Sequence, residues 1–210
     1  MSIVLRCNVF QVGDLDPGIR LSKSEICDLF NETGMIMDKL TNGAVNISIA
    51  TGPAFVSIPR FHAPKVRELP ATSRSVAHSP IFGALRASGD FGPLHVCYLD
   101  AFESDTDACA GCADRFKHIT SGAAHFPFLY AIEYNRQTDS WPRWQPLLHE
   151  FGHILGLHHV DADKQPENLM NPHGITGWTI TEKQRSRMVA AAGHIASGSR
   201  PLYALLPPRR

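Results

Sequence analysis

Apolar and polar positions along the chain divide it into segments of two periods. Residues 3 to 12, IVLRCNVFQV, are rich in Val, Ile and Phe and end at Gly13 with Pro17-Gly18 close behind, which predicts a first strand. Ser22 and Glu25 then form a capping-box pattern. Ile26, Leu29, Phe30, Ile36, Met37 and Leu40 follow at helical spacing until Asn42-Gly43, which predicts an amphipathic helix. Residues 45 to 50, VNISIA, alternate as a half-buried strand, and 94 to 102, LHVCYLDAF, continue the same period. Between them, residues 59 to 93 hold Pro59, Pro64, Pro70, Pro80 and Pro93, which predicts an irregular connection with one short helix near Pro80 to Arg86.

Residues 103 to 126 are small, polar and Gly-containing, and Phe128 to Tyr134 gives another strand. Pro146 lacks an N–H and its ring clashes with a preceding turn, so the next helix must open near Trp144 to Pro146. It runs to Gly156, which can take the left-handed conformation that ends helices. Thr181 and Gln184 form a second capping box, followed by Met188, Val189, Ala192 and Ile195 on one face of a closing helix. No repeat or low-complexity tract interrupts this order, and the tail Pro207-Pro208-Arg209-Arg210 reads as loose.

Composition narrows the class of molecule. The 210 residues suit one domain, 43% are hydrophobic and 19% charged, and no apolar run reaches about 18 residues, so a soluble globule without a membrane span is expected. Lys plus Arg and Asp plus Glu each total 20, which leaves no basic field for nucleic acid. The five cysteines (Cys7, Cys27, Cys97, Cys109 and Cys112) are too sparse for a disulfide scaffold. Met1 to Cys7 lacks the basic lead and long apolar stretch of a signal peptide. A cytoplasmic protein is the expectation, with a trimmed exported form as the alternative.

The candidate chemistry lies in LLHEFGHILGLHH. His149 and His153 stand four residues apart on the predicted helix, so their imidazoles share a face and can reach one ion. Gly156 allows a sharp turn, and His159 can swing back as a third ligand, with His158 the alternative. Three neutral nitrogens suit Zn²⁺ and leave a fourth tetrahedral position open, the mark of a catalytic site. Glu150, beside the first ligand, is placed to hydrogen-bond a water there and serve as general base.

These residues resemble the metzincin clan of zinc metallopeptidases, whose signature H-E-x-x-H-x-x-G-x-x-H is filled by His149, Glu150, His153, Gly156 and His159. With residues drawn evenly, such a match would arise in a chain this size at odds of roughly one in ten thousand. Asn168-Leu169-Met170-Asn171-Pro172 stands where the clan has its methionine turn, so the resemblance makes Met170 the floor of the site. It implies a single α+β catalytic domain spanning 1–210. The upper part, 1–156, would hold a mixed twisted sheet, a backing helix and an active-site helix over about 144–156. The lower part, 157–210, would be mostly irregular and end in a helix.

The activity implied is zinc-dependent hydrolysis of peptide or protein substrates, in which Glu150 takes a proton from the attacking water and returns it to the leaving amine. An extended substrate would pair with an edge strand within residues 108 to 126, and the primary specificity pocket would be walled by Asn171 to Trp178. Val160 matches none of the residues that follow the third histidine in astacins, adamalysins or matrixins, and the nearest look is matrixin-like or pappalysin-like. An aminopeptidase-type exopeptidase and an inactive zinc-stabilised binding protein are the alternatives.

Other polar residues carry two readings each. Cys109 and Cys112 have zinc-knuckle spacing without a second pair, so a structural zinc, a redox pair and incidental thiols all fit. Arg6-Cys7-Asn8 faintly resembles the cysteine switch of matrixin prosegments, but Cys7 lies inside the first strand. Asp161 either orients a ligand imidazole or is solvated loop charge.

Overall fold

The first apolar run forms β1 (Ile3–Gly13) in a computed structural model that describes residues 2–13, 22–57, 94–99, 111–114, 128–131, 144–172 and 178–197. Leu5, Cys7 and Val9 are buried on one face of it while Val4 is 48% exposed, the period-two burial of a strand with one face on a core. Helix α1 (Lys23–Leu40) carries the chain to β2 (Val45–Ser57), which pairs with β1 in parallel. Both halves of the Ser22/Glu25 capping box form, so two of the otherwise orphaned amides at the start of α1 are bonded. Asn42 and Gly43 take positive φ, +53° and +78°, and end the helix where expected.

β2 extends well beyond the expected residues 45 to 50. The strand continues through Gly52-Pro53 at the edge of the described sheet, where β1 is its one neighbour among the described strands and proline is tolerated. Gly52 has φ of +94°, and the pairing slips from Cys7 with Ile49 to Asn8 with Thr51 to Phe10 with Ala54. Irregularity of this kind re-aims a strand without ending it.

β3 (Leu94–Leu99) and β5 (Phe128–Ala131) lie parallel beyond β1, and β4 (Gly111–Asp114) closes the far edge antiparallel to β5. The described sheet is therefore mixed, in the order β2-β1-β3-β5-β4. β4 falls inside the segment where the family resemblance places an edge strand. Its sequence, Gly-Cys-Ala-Asp, has no apolar alternation by which to read it. The expected short helix near Pro80 to Arg86, residues 100 to 102 and 132 to 134 of the expected strands, and Cys109 lie outside the described residues.

Helix α2 (Trp144–Ile154) packs against α1, β4 and β5, and α3 (Glu182–Ala196) packs against β1. One apolar cluster runs through Leu5, Phe30, Val96, Leu148, Phe151, Met170 and Met188. It joins the sheet, all three described helices and the turn containing Met170. Arg185 of α3 donates from Nε to the Leu40 carbonyl at 2.8 Å, satisfying an end carbonyl of α1. Among the described residues no helix is long and apolar enough to cross a membrane.

Cys7 is not placed as the cap that the resemblance to a cysteine switch would require. It is fully buried in β1 between β2 and β3, and burial pushes its thiol pKa far up, away from the thiolate that metal ligation requires.

Candidate metal centre

Helix α2 presents His149 and His153 one turn apart because Leu147, Leu148, Phe151 and Ile154 anchor its apolar side in the core. Its end is a Schellman motif: Leu157 N–H bonds the Gly152 carbonyl at 2.9 Å, and Gly156 N–H bonds the His153 carbonyl at 3.0 Å. Gly156 sits between them at φ +87°. This reversal sends residues 157 to 159 back past the helix and brings His159 to the other two rings.

Gly156→Ala should destabilise the protein by about 1–2 kcal/mol, the cost of a left-handed L-residue. A Cβ there would meet only Arg187 at ordinary van der Waals distances of 3.6 Å or more, so the loss is conformational. Urea unfolding measures it.

The three rings converge. Nε2 of His159 lies 3.2 Å from Nε2 of His149 and 3.0 Å from Nε2 of His153. Tetrahedral ligation at about 2.0–2.1 Å separates ligand nitrogens by about 3.3 Å, so both separations from His159 are within a few tenths of an ångström of that spacing, and all three ligand atoms lie within 4.8 Å of one another. His149 is buried, His153 half-buried and His159 exposed, which leaves the cluster open to solvent on one side. Among the described residues, these three form the group whose ligand atoms could share one ion. His158 is exposed and is not part of that group.

The ring tautomers also suit a shared cation. Nδ1 of His149 lies 2.7 Å from the Leu169 carbonyl, and Nδ1 of His153 lies 3.1 Å from the Leu157 carbonyl. A carbonyl only accepts, so both Nδ1 atoms carry the hydrogen, and in a neutral ring each Nε2 then presents a bare lone pair. Both lone pairs face His159 Nε2, which has at most one proton to offer. A divalent cation satisfies all three nitrogens where a proton cannot. The donor set therefore fits zinc by atom type, tautomer and spacing.

Burial lowers the pKa of His149 to about 4, with the neighbouring His159 pushing the same way and the Leu169 carbonyl opposing. Its imidazole stays neutral and ready to ligate through the physiological range. In the metal-free protein the unfolded ring titrates near 6.5 and the folded ring near 4, so the unfolded state binds the extra proton between them. Stability contributed by His149 is thus complete above 6.5 and is lost as pH falls toward 4, by about 3 kcal/mol at about 1.4 kcal/mol per unit. Urea midpoints of metal-free protein across that interval test this, and a flat profile would contradict it.

Met170 lies directly beneath the ligand helix. A Cβ built on Gly152 would stand 2.5 Å from Met170 Sδ, so glycine here lets the sulfur reach the helix backbone between the two ligands. Met170 is fully buried, and its carbonyl accepts from Val160 N–H at 3.0 Å, tying the turn to the residue after His159. Glu150 is on the same helical turn as His149 and only 6% exposed. Asp161 accepts from Lys164 Nζ and from the amides of Asp163 and Lys164, and the Lys164 ammonium first among these lowers its pKa. It shapes the 161–165 turn, in keeping with exposed loop charge.

Several contributors had no signal in the sequence. The carbonyls of Leu157 and Leu169 carry none, and Gly152 reads as an ordinary x of the motif. Asn168 and Gln184 were legible as neighbours of Met170 and as a capping residue, but not as partners of each other.

No family model matches the chain, and no curated protein was found similar to it in sequence. Among solved structures it is similar to metalloproteinase-II from Bacteroides fragilis, with a TM-score of 0.53 at 14% identity. The match covers 90% of this chain and 53% of that one, so the chain spans about half the length of that protein. The two share a fold. At this identity the likeness speaks to architecture, an α+β arrangement found in a metalloproteinase, and the three histidines supply the independent sign of a metal.

Proposed function

We propose that the chain is a zinc-dependent metallopeptidase of the metzincin type, cleaving peptide bonds internally. The observation that carries this reading is the convergence of three Nε2 atoms, with the tautomers of His149 and His153 set by backbone carbonyls. The complete signature, the buried Met170 under Gly152 and the likeness in fold to a metalloproteinase support it. The continuous core from β1 to α3 supports treating 1–210 as one catalytic domain, with 1–156 above the site and 157–210 below.

His149, His153 and His159 would hold the ion. When bound, zinc supplies Lewis acidity and lowers the pKa of a coordinated water from 15.7 to about 7. Glu150 is the general base in this reading: its carboxylate takes the proton of the attacking water and later delivers it to the leaving amine nitrogen. Gly156 and Met170 position ligands and touch no substrate. The antiparallel strand β4, at the edge of the described sheet, supports strand addition as the mode by which an extended peptide is held.

The test is a cleavage-site profile on a library of peptides with blocked and free N-termini, with and without a zinc chelator. Internal cleavage of blocked peptides that stops with chelator and returns with zinc is expected. Trimming confined to free N-termini would make the enzyme an exopeptidase, and cleavage indifferent to chelator would overturn the proposal.

A further inference from the structure

We infer that Asn168 and Gln184, outside the signature, are positioning residues for the metal ligands, a reading that rests on the proposed zinc site. The peptide group between Leu169 and Met170 is the point of action. Its carbonyl oxygen accepts from His149 Nδ1 at 2.7 Å, and its N–H donates to Asn168 Oδ1 at 3.0 Å. One rigid amide plane is therefore gripped at both ends, and its orientation sets that of the buried imidazole.

Asn168 is itself immobilised. It is 3% exposed, and its Nδ2 donates to Gln165 Oε1 at 3.1 Å and to Gln184 Oε1 at 3.0 Å. Gln184 Nε2 donates back to Asn168 Oδ1 at 3.2 Å, so the two side-chain amides form a reciprocal pair and both N–H groups and both lone pairs of Asn168 are used. The donor and acceptor pattern admits one orientation of that amide. Gln184 is also the capping-box residue of α3, accepting from Thr181 N–H at 2.8 Å and donating its own N–H to Thr181 Oγ1 at 3.2 Å. The start of α3 is thereby linked through Asn168 to the peptide plane behind His149. The next carbonyl, of Met170, fixes Val160 beside His159. Two of the three ligands are thus aimed from one turn, and the Asn168–Gln184 amide pair ties that turn to α3.

The experiment is titration of metal-free protein with Co²⁺, followed by competition for Zn²⁺ with a chromophoric chelator, on wild type, Asn168→Ala, Gln184→Ala, Gln184→Glu and Thr181→Ala. Asn168→Ala is expected to weaken Zn²⁺ binding about ten- to hundredfold and alter the Co²⁺ visible spectrum. Gln184→Ala should weaken it by a smaller factor, and Gln184→Glu, which keeps the acceptor for Asn168 Nδ2 but sets a second oxygen against Asn168 Oδ1 in place of the Nε2 donor, should weaken it as well. Thr181→Ala removes the cap and the Thr181 Oγ1 bond to Gln184 Oε1 but leaves both Asn168–Gln184 bonds in place, and should lower the melting temperature without changing metal affinity. If wild type binds and Asn168→Ala binds equally well, the positioning role is wrong while the zinc site stands. If Asn168→Ala does not fold, a Gln184→Ala affinity equal to that of Thr181→Ala overturns the inference. Failure of wild type to bind either ion would instead sink the site itself.

Discussion

Glu150→Gln is expected to lower peptide hydrolysis by about 10²–10⁴-fold, the range for losing a positioned proton-transfer group, while Zn²⁺ remains bound. The carboxamide keeps the shape of the side chain and an acceptor oxygen but cannot take a proton at neutral pH. Glu150 is buried beside His149 on a helix whose core contacts come from Leu147, Leu148, Phe151 and Ile154, so the substitution leaves those contacts in place. The loss should fall on kcat more than on KM, because proton transfer is realised only in the transition state. Steady-state kinetics on a blocked peptide, alongside metal content, measure it. Unchanged hydrolysis with zinc retained would remove Glu150 from the mechanism.

His159→Ala should abolish tight zinc binding and, with it, hydrolysis. Its Nε2 lies within 3.2 Å of both other ligand nitrogens, so without it the remaining pair cannot enclose the ion. His159 is exposed, whereas His149 is buried on a core-facing helix, so removing His159 opens no interior cavity. The metal-free variant should therefore melt within a few degrees of metal-free wild type, while the gain in melting temperature on adding Zn²⁺ vanishes. That separation of folding from binding makes it a cleaner test than either helical histidine. A variant that still gained stability from zinc would place the ion elsewhere.

The parts of the fold and site readable from the sequence were those encoded locally. Capping boxes at Ser22/Glu25 and Thr181/Gln184 announce their helices because the bonds they predict close within three residues, and both form as expected. Pro146 and Gly156 bracket α2 for the same reason, and the helical interval from His149 to His153 needs no tertiary information. His159 was readable because Gly156 supplies the reversal.

The rest depends on contacts between segments distant in the chain. β2 outran its expected end because the edge of the described sheet tolerates Gly52-Pro53, and that position is set by pairing with β1, distant in the chain. β4 has no apolar period; it is a strand because β5 offers it a ladder. The carbonyls that set the His149 and His153 tautomers are backbone atoms of leucines, invisible in any pattern of side chains. The Asn168–Gln184 pair spans sixteen residues and exists only because α3 folds back against the methionine turn.

The most direct measurement is X-ray absorption at the zinc edge on protein loaded with one equivalent of Zn²⁺. Three imidazole nitrogens and one oxygen at about 2.0–2.1 Å are expected, and the imidazole signature should collapse in His159→Ala. A shell of sulfur near about 2.3 Å, or a spectrum unaltered by that substitution, would show that these three histidines do not hold the ion.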